Sequence, residues 1–127
     1  VDHALFCCGT NAVGQLGLDD LEDRKTFTQV PGENFLMVSH AVAHTCAIDK
    51  ELCLWSCGAN EEGQLGLGHL ETITTFTKVT KRKFVAVSCG DDFTVAIDPE
   101  GYVWACGDNQ SGQLGFESTD PVGFCQS

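Results

Sequence analysis

The chain has 127 residues, 43% hydrophobic and 20% charged, which is enough to build a packed domain and too apolar for a disordered one. A net charge of −11 argues against gripping nucleic acid through its phosphates, since such proteins cluster Lys and Arg on one face. No apolar run nears the roughly 18 residues of a membrane helix, and no basic stretch leads into an apolar one at the start, as a secretory signal would.

Residues 3–8 form a short apolar run that reads as a strand. The next ten residues, Cys8-Gly9-Thr10-Asn11-Ala12-Val13-Gly14-Gln15-Leu16-Gly17, return in kindred form at 57–66 and again at 106–115. Gly9, Gly58 and Gly107 stand 49 residues apart with no slip. A fixed period of roughly 20–50 residues is the mark of a repeat architecture. Gly9, Gly14, Gly58, Gly63, Gly107 and Gly112 read as turn positions that need a left-handed backbone or close approach by another segment. Asn11, Asn60 and Asn109 lie inside the turn, where an amide bonds nearby backbone. Gln15, Gln64 and Gln113 are the same in all three copies and are expected to tie the turn to adjacent backbone. The element is not a phosphate loop, because it lacks the Lys-Ser/Thr ending and no helical period follows.

Residues 18–26 and 67–75 are polar connections that differ between copies. The first carries Asp19, Asp20, Glu22 and Asp23. Phe27–Val30 and its counterpart Phe76–Val79 read as strands. Pro31-Gly32 makes the following turn, and Lys81–Lys83 takes that place in the next unit. Phe35–Ser39 and Phe84–Ser88 read as strands, as do His44–Asp49 and Phe93–Asp98. Between them lie tight connections, one of which holds Asp91 and Asp92. Asp98-Pro99-Glu100-Gly101 predicts a type I turn followed by a left-handed residue, and Asp49-Lys50-Glu51 is its counterpart without Pro or Gly. Phe6, Trp55 and Trp104 share one position and are expected to be packing anchors.

No stretch keeps a helical period, so the prediction is an all-β chain with four short strands per unit, as in a propeller blade. The chain reads as a single repeat domain over 1–127. It has a partial unit at about 1–17, units at 18–66 and 67–115, and a tail at 116–127.

The eight cysteines are expected to be buried free thiols. Cys8, Cys57 and Cys106 share one repeat position, Cys46 is matched by Val95, and Cys53 by Tyr102. No pair has the tight spacing of a structural zinc site. His44 is replaced by Phe93 in the sister unit, which reads as a structural histidine with its polar edge bonded locally. Neither cofactor nor metal is expected, and reduced thiols fit a cytoplasmic or nuclear protein.

These residues resemble the repeats of the regulator of chromosome condensation family. That pattern is carried by Val87, Gly90, Thr94, Ala96, Ile97, Trp104, Gly107, Asn109, Gly112, Gln113, Leu114 and Gly115. The earlier copy carries it through Val38, His44, Thr45, Ala47, Ile48, Trp55, Gly58, Asn60, Gly63, Gln64, Leu65 and Gly66. The spacing departs by one residue at Trp-Ser-Cys-Gly and Trp-Ala-Cys-Gly, which is expected to mark a bulge. The resemblance implies a propeller of about seven blades, of which this chain is a partial, incomplete ring. It also implies nucleotide exchange on a small GTPase or a role as an interaction module.

No Ser/His/Asp set and no nucleophile–base pair recurs, so the leading expectation is a non-catalytic protein-interaction module or scaffold, a segment of a larger propeller. The alternatives are a guanine nucleotide exchange factor for a small GTPase, or a purely structural component of a large complex. The expected contact surface is what differs between copies: Asp19, Asp20, Glu22, Asp23, Asp91 and Asp92. The expected partner is a protein, basic or a small GTPase, with no direct nucleic acid and no membrane. Self-assembly to complete the ring is the runner-up.

Overall fold

A computed structural model describes residues 3–117 and 123–126. Ten strands run in chain order: β1 (Phe6–Gly9), β2 (Arg24–Gln29), β3 (Phe35–His40), β4 (His44–Asp49), β5 (Cys53–Gly58), β6 (Ile73–Lys83), β7 (Ala86–Cys89), β8 (Phe93–Ile97), β9 (Val103–Gly107) and β10 (Cys125–Gln126). There is no helix among the described residues. The strands form three sheets, β1-β2, β3-β4-β5-β6 and β10-β9-β8-β7, with every neighbouring pair antiparallel. The chain is therefore all-β, with four-stranded blades.

The sheets are phased one strand later than the repeat units. Each β5-like strand recruits the first strand of the following unit as its outer partner: β2 on β1, β6 on β5 and β10 on β9. The first strand is thus not alone, and residues read as a tail supply the edge of the third sheet. The reason is local: the Gly-rich turn folds back, so the strand after it lies antiparallel to the strand before it. Two glycines in these turns make room for the outer edge of the next sheet. A Cβ on Gly17 would lie 2.5 Å from the Phe76 ring, and one on Gly66 would lie 2.4 Å from the Phe124 ring. Each outer-strand aromatic thus packs on the turn of the preceding unit.

Boundaries shift where the flanking chemistry differs. β1 begins at Phe6 rather than at residue 3. β6 runs on through Lys81–Lys83, which the sequence reading had assigned to a turn. Nothing there breaks a strand: β2 meets Pro31-Gly32 soon after Gln29, whereas Val79 and Thr80 are β-branched and Lys83 pairs with Cys53. Phe84, expected inside a strand, lies in the short connection before β7, fully buried, with its N–H on the Leu52 carbonyl. β4 matches the reading residue for residue, and bulges interrupt the β5–β6 ladder at Cys53/Trp55 and Ser56/Gly58, the place where the spacing is one residue long.

The core lies between the second and third sheets. Cys46, Ile48, Leu54, Phe84 and Ala96 are buried there, with Leu52, Val79, Val87, Cys89, Trp104 and Phe124 packed around them. Each large side chain so buried contributes about 1.5–3 kcal/mol. The first sheet has no such cover among the described residues. Phe6 is 52% exposed and Phe27 is 75% exposed, so Phe6 does not anchor packing as its counterparts do.

Candidate functional site

The residues that repeat build a joint between neighbouring sheets. The Asn11 side chain accepts from Leu16 N–H (3.0 Å) and donates to the Asp20 carbonyl (2.9 Å). Asn60 does the same with Leu65 N–H (3.0 Å) and the carbonyls of His69 and Glu71 (2.8 and 3.0 Å). Asn109 joins Leu114 N–H (2.9 Å) to the Phe116 carbonyl (2.7 Å). Each amide clips the turn to the loop that follows it.

The glutamines face across the joint. Gln15 accepts from Val13 N–H (3.1 Å) and donates to the Val42 carbonyl (3.3 Å). Gln64 accepts from Glu62 N–H (3.1 Å) and donates to the Asp92 carboxylate (3.5 Å). Their backbone carbonyls take a second grip: the Thr45 hydroxyl donates to Gln15 O and the Thr94 hydroxyl to Gln64 O, both at 2.7 Å. The Cys57 and Cys106 thiols donate to the same two carbonyls (3.6 and 3.4 Å). Gln113 turns instead to the Asp108 carboxylate (2.7 Å).

A second repeated device closes each β-hairpin. The Asp49 carboxylate accepts from the N–H groups of Glu51 and Cys53 (both 2.9 Å) and from the Trp55 indole (2.8 Å). Asp98 does so with Glu100 (3.0 Å), Tyr102 (2.9 Å) and Trp104 (2.9 Å). Burial alone would raise both carboxyl pKa values. The indole and backbone donors outweigh it and hold both below the usual range, with Lys78 adding to Asp49 and Arg82 to Asp98. The Arg82 guanidinium also stacks 3.9 Å from the Trp104 ring centroid, which ties β6 to the third sheet. The sequence places both aspartates at hairpin turns without the bonds that their carboxylates make. The signal was present: an Asp at the same offset in both units, each six residues ahead of a Trp.

The expected acidic surface divides. Asp20 accepts from Arg24, Glu22 N–H and Asn11, and the Arg24 bond first, then the backbone donor, hold its carboxyl below the usual range. Asp23 accepts from Asn11 N–H (2.8 Å), and Asp19 N–H donates to the Thr74 carbonyl (3.0 Å) at a φ of 62°. These three shape the loop. Glu22 and Asp91 are exposed, and no described residue hydrogen-bonds their carboxylates. Asp92 is exposed, with its carbonyl held by Asp108 N–H. Asp19–Asp23 and Asp91–Asp92 lie in separate loops, with no bond between the two groups among the described residues.

The cysteines are not uniformly buried. Cys46, Cys53, Cys57 and Cys106 are, Cys7 and Cys89 are half-buried, and Cys8 and Cys125 are exposed. Cys57 and Cys106 lie beside β4 and β8 in their sheets, paired with Thr45 and Thr94, and burial raises their thiol pKa values. Cys8 has no such strand on that side among the described residues. The structure also gathers residues that the sequence reading kept apart: His44, Cys46 and Cys89 bring one ligand atom each to within 4.8 Å of one another.

Residues 53–97 and residues 84–113 each match a family model described as the Regulator of chromosome condensation (RCC1) repeat. No curated protein matches the sequence. Among solved structures, human WBSCR16 superposes with a TM-score of 0.86 at 20% identity, over 100% of this chain and 35% of that one. Prp20p from Saccharomyces cerevisiae, described with its binding properties to Gsp1p and histones, superposes at 0.86 and 19% identity over 97% and 34%. Yeast RCC1 (Prp20), solved with Kap60 bound to it, gives 0.84 and 18% over 98% and 31%. The chain spans about a third of the length of each, and the likeness is one of fold.

Proposed function

We propose that this chain, which carries regulator of chromosome condensation repeats through residues 53–113, is a non-catalytic protein-interaction segment of a propeller, and that its copy-specific acidic loops meet a basic protein. One observation carries this reading. The residues that repeat are consumed in joints and hairpins, whereas the carboxylates of Glu22 and Asp91 are exposed and unbonded; Asp91 stands where the preceding unit has Val42, and Glu22, which recurs as Glu71, lies in a loop whose Asp19, Asp20 and Asp23 do not recur. A binding site on a repeat scaffold belongs on the parts that the scaffold does not need. The relatives support a protein partner: the structures of Prp20 are described with histones, Gsp1p and Kap60. Exchange on a small GTPase is the second reading, favoured by the Gsp1p binding of Prp20p. A cytoplasmic or nuclear setting accords with unpaired thiols and with a histone-like partner.

The test uses core histones as the basic probe in fluorescence anisotropy. Glu22→Lys combined with Asp91→Lys is expected to weaken binding about tenfold or more, with the melting temperature unchanged, because neither side chain holds the fold. Unchanged affinity would remove the acidic loops from the interface and favour a purely structural role.

A further inference from the structure

We propose that His44, Cys46 and Cys89 form a zinc site at the joint between the second and third sheets. A ring nitrogen of His44 and the two sulfurs all lie within 4.8 Å of one another. Zinc bonds of about 2.3 Å to sulfur and about 2.0–2.1 Å to imidazole set ligand atoms roughly 3.5–3.9 Å apart at tetrahedral angles. Closure by about an ångström would bring the three donors to bonding distance, with water as the fourth ligand. Two thiolates and one imidazole are a donor set that suits the borderline-soft, d10 zinc ion.

The hydrogen bonds around His44 favour ligation. His44 Nε2 lies 2.8 Å from the Thr94 hydroxyl. That hydroxyl has one proton and gives it to the Gln64 carbonyl at 2.7 Å. The ring hydrogen is therefore on Nε2, and Nδ1 keeps its lone pair. Nδ1 is fully buried and has no partner. A buried lone pair without a donor is costly, and a ring whose far nitrogen is fixed by an oxygen is how ligating histidines are held. The ligand set also suits burial. On binding, each thiol releases its proton to solvent, and the two thiolate charges cancel those of Zn2+, so the closed site is neutral. Half-buried Cys89 offers the way in.

The fold does not demand these donors. One repeat later the positions of His44 and Cys46 are held by Phe93 and Val95, on the same strand geometry. Two ligands come from β4 and one from β7, so the ion would clamp adjacent sheets across the joint.

The test titrates the reduced chain with Co2+, a spectroscopic stand-in for Zn2+. One equivalent is expected to bind, with a thiolate-to-cobalt charge-transfer band and tetrahedral visible bands, both abolished by added Zn2+. Zn2+ alone is expected to raise the melting temperature. His44→Phe and Cys46→Val, which borrow the residues of the next unit, and Cys89→Ser, at the half-buried edge, are each expected to weaken binding by at least about 10–100-fold. Cys8→Ser combined with Cys125→Ser is expected to leave the spectrum unchanged. The proposal is overturned if the reduced chain shows no charge-transfer band. It is also overturned if the band survives the His44 and Cys89 substitutions, or is lost with the two exposed cysteines.

Discussion

Asp49 and Asp98 show how much one carboxylate organises in each unit. Each accepts two backbone N–H groups and an indole, so the hairpin and its tryptophan are held by the ionised form. Their pKa values are lowered on folding, so the stability they contribute is present above the unfolded carboxyl pKa of about 3.9 and is lost as pH falls through the folded values. The melting temperature is expected to hold between about pH 7 and 5 and to drop below about pH 4. Asp49→Asn is expected to lower it at pH 7 and to make the acid drop shallower; an unchanged acid profile would show that the carboxylate is not the group titrating. Thr94 makes a parallel case at the joint. Thr94→Val leaves the buried Gln64 carbonyl short of a donor and is expected to cost about 1–3 kcal/mol in urea unfolding. Thr45→Val, on the more open joint, is expected to cost less. The repeated glutamines and asparagines were legible because their identity recurs and a buried amide must be bonded. The aspartates recur too, but their role depends on where a turn aims its N–H groups, which spacing alone does not reveal.

At the scale of the element, glycines that look alike in sequence do different work. Gly58 and Gly101 both have left-handed backbone, at φ 111° and 91°. A Cβ on Gly58 would sit 2.4 Å from the Ala43 carbonyl oxygen, whereas nothing lies within 4 Å of one on Gly101. Gly101→Ala is expected to cost about 1–2 kcal/mol, the conformational term alone. Gly58→Ala is expected to cost clearly more, because the clash is with backbone at the end of a sheet; equal losses in urea titrations would contradict this. The counterpart of Gly101 is Leu52, which takes the same left-handed position at φ 65° while its side chain packs on the core. The strands themselves were readable from β-branched alternation, and β4 was found to the residue. The run of β6 through Lys81–Lys83 was not, because three basic residues read as surface turn when no partner strand is in view. The sheet phase was hidden for the same reason, since pairing across the Gly-rich turn is a property of the fold-back.

At the scale of the molecule, two four-stranded sheets share a core and the two-stranded sheet lies open. A groove of about 430 Å³ runs beside it, lined in part by Phe6, Phe27, Val38 and Val42. Among the described residues β1 lacks the inner neighbour that β4 gives β5 in the second sheet. The repeat was legible because a long spaced pattern is hard to imitate. The clustering of His44, Cys46 and Cys89 was not, since Cys89 reaches the others only through sheet-to-sheet packing. The acidic loops were visible as a composition, but only the structure separates Glu22 and Asp91 from Asp19, Asp20 and Asp23, whose groups shape the loop. The most direct test of an acidic contact surface is histone binding measured by anisotropy across a salt series. Contact through these loops predicts an affinity that falls steeply as salt rises from about 50 to 200 mM. Absent binding, or an affinity indifferent to salt, would contradict it.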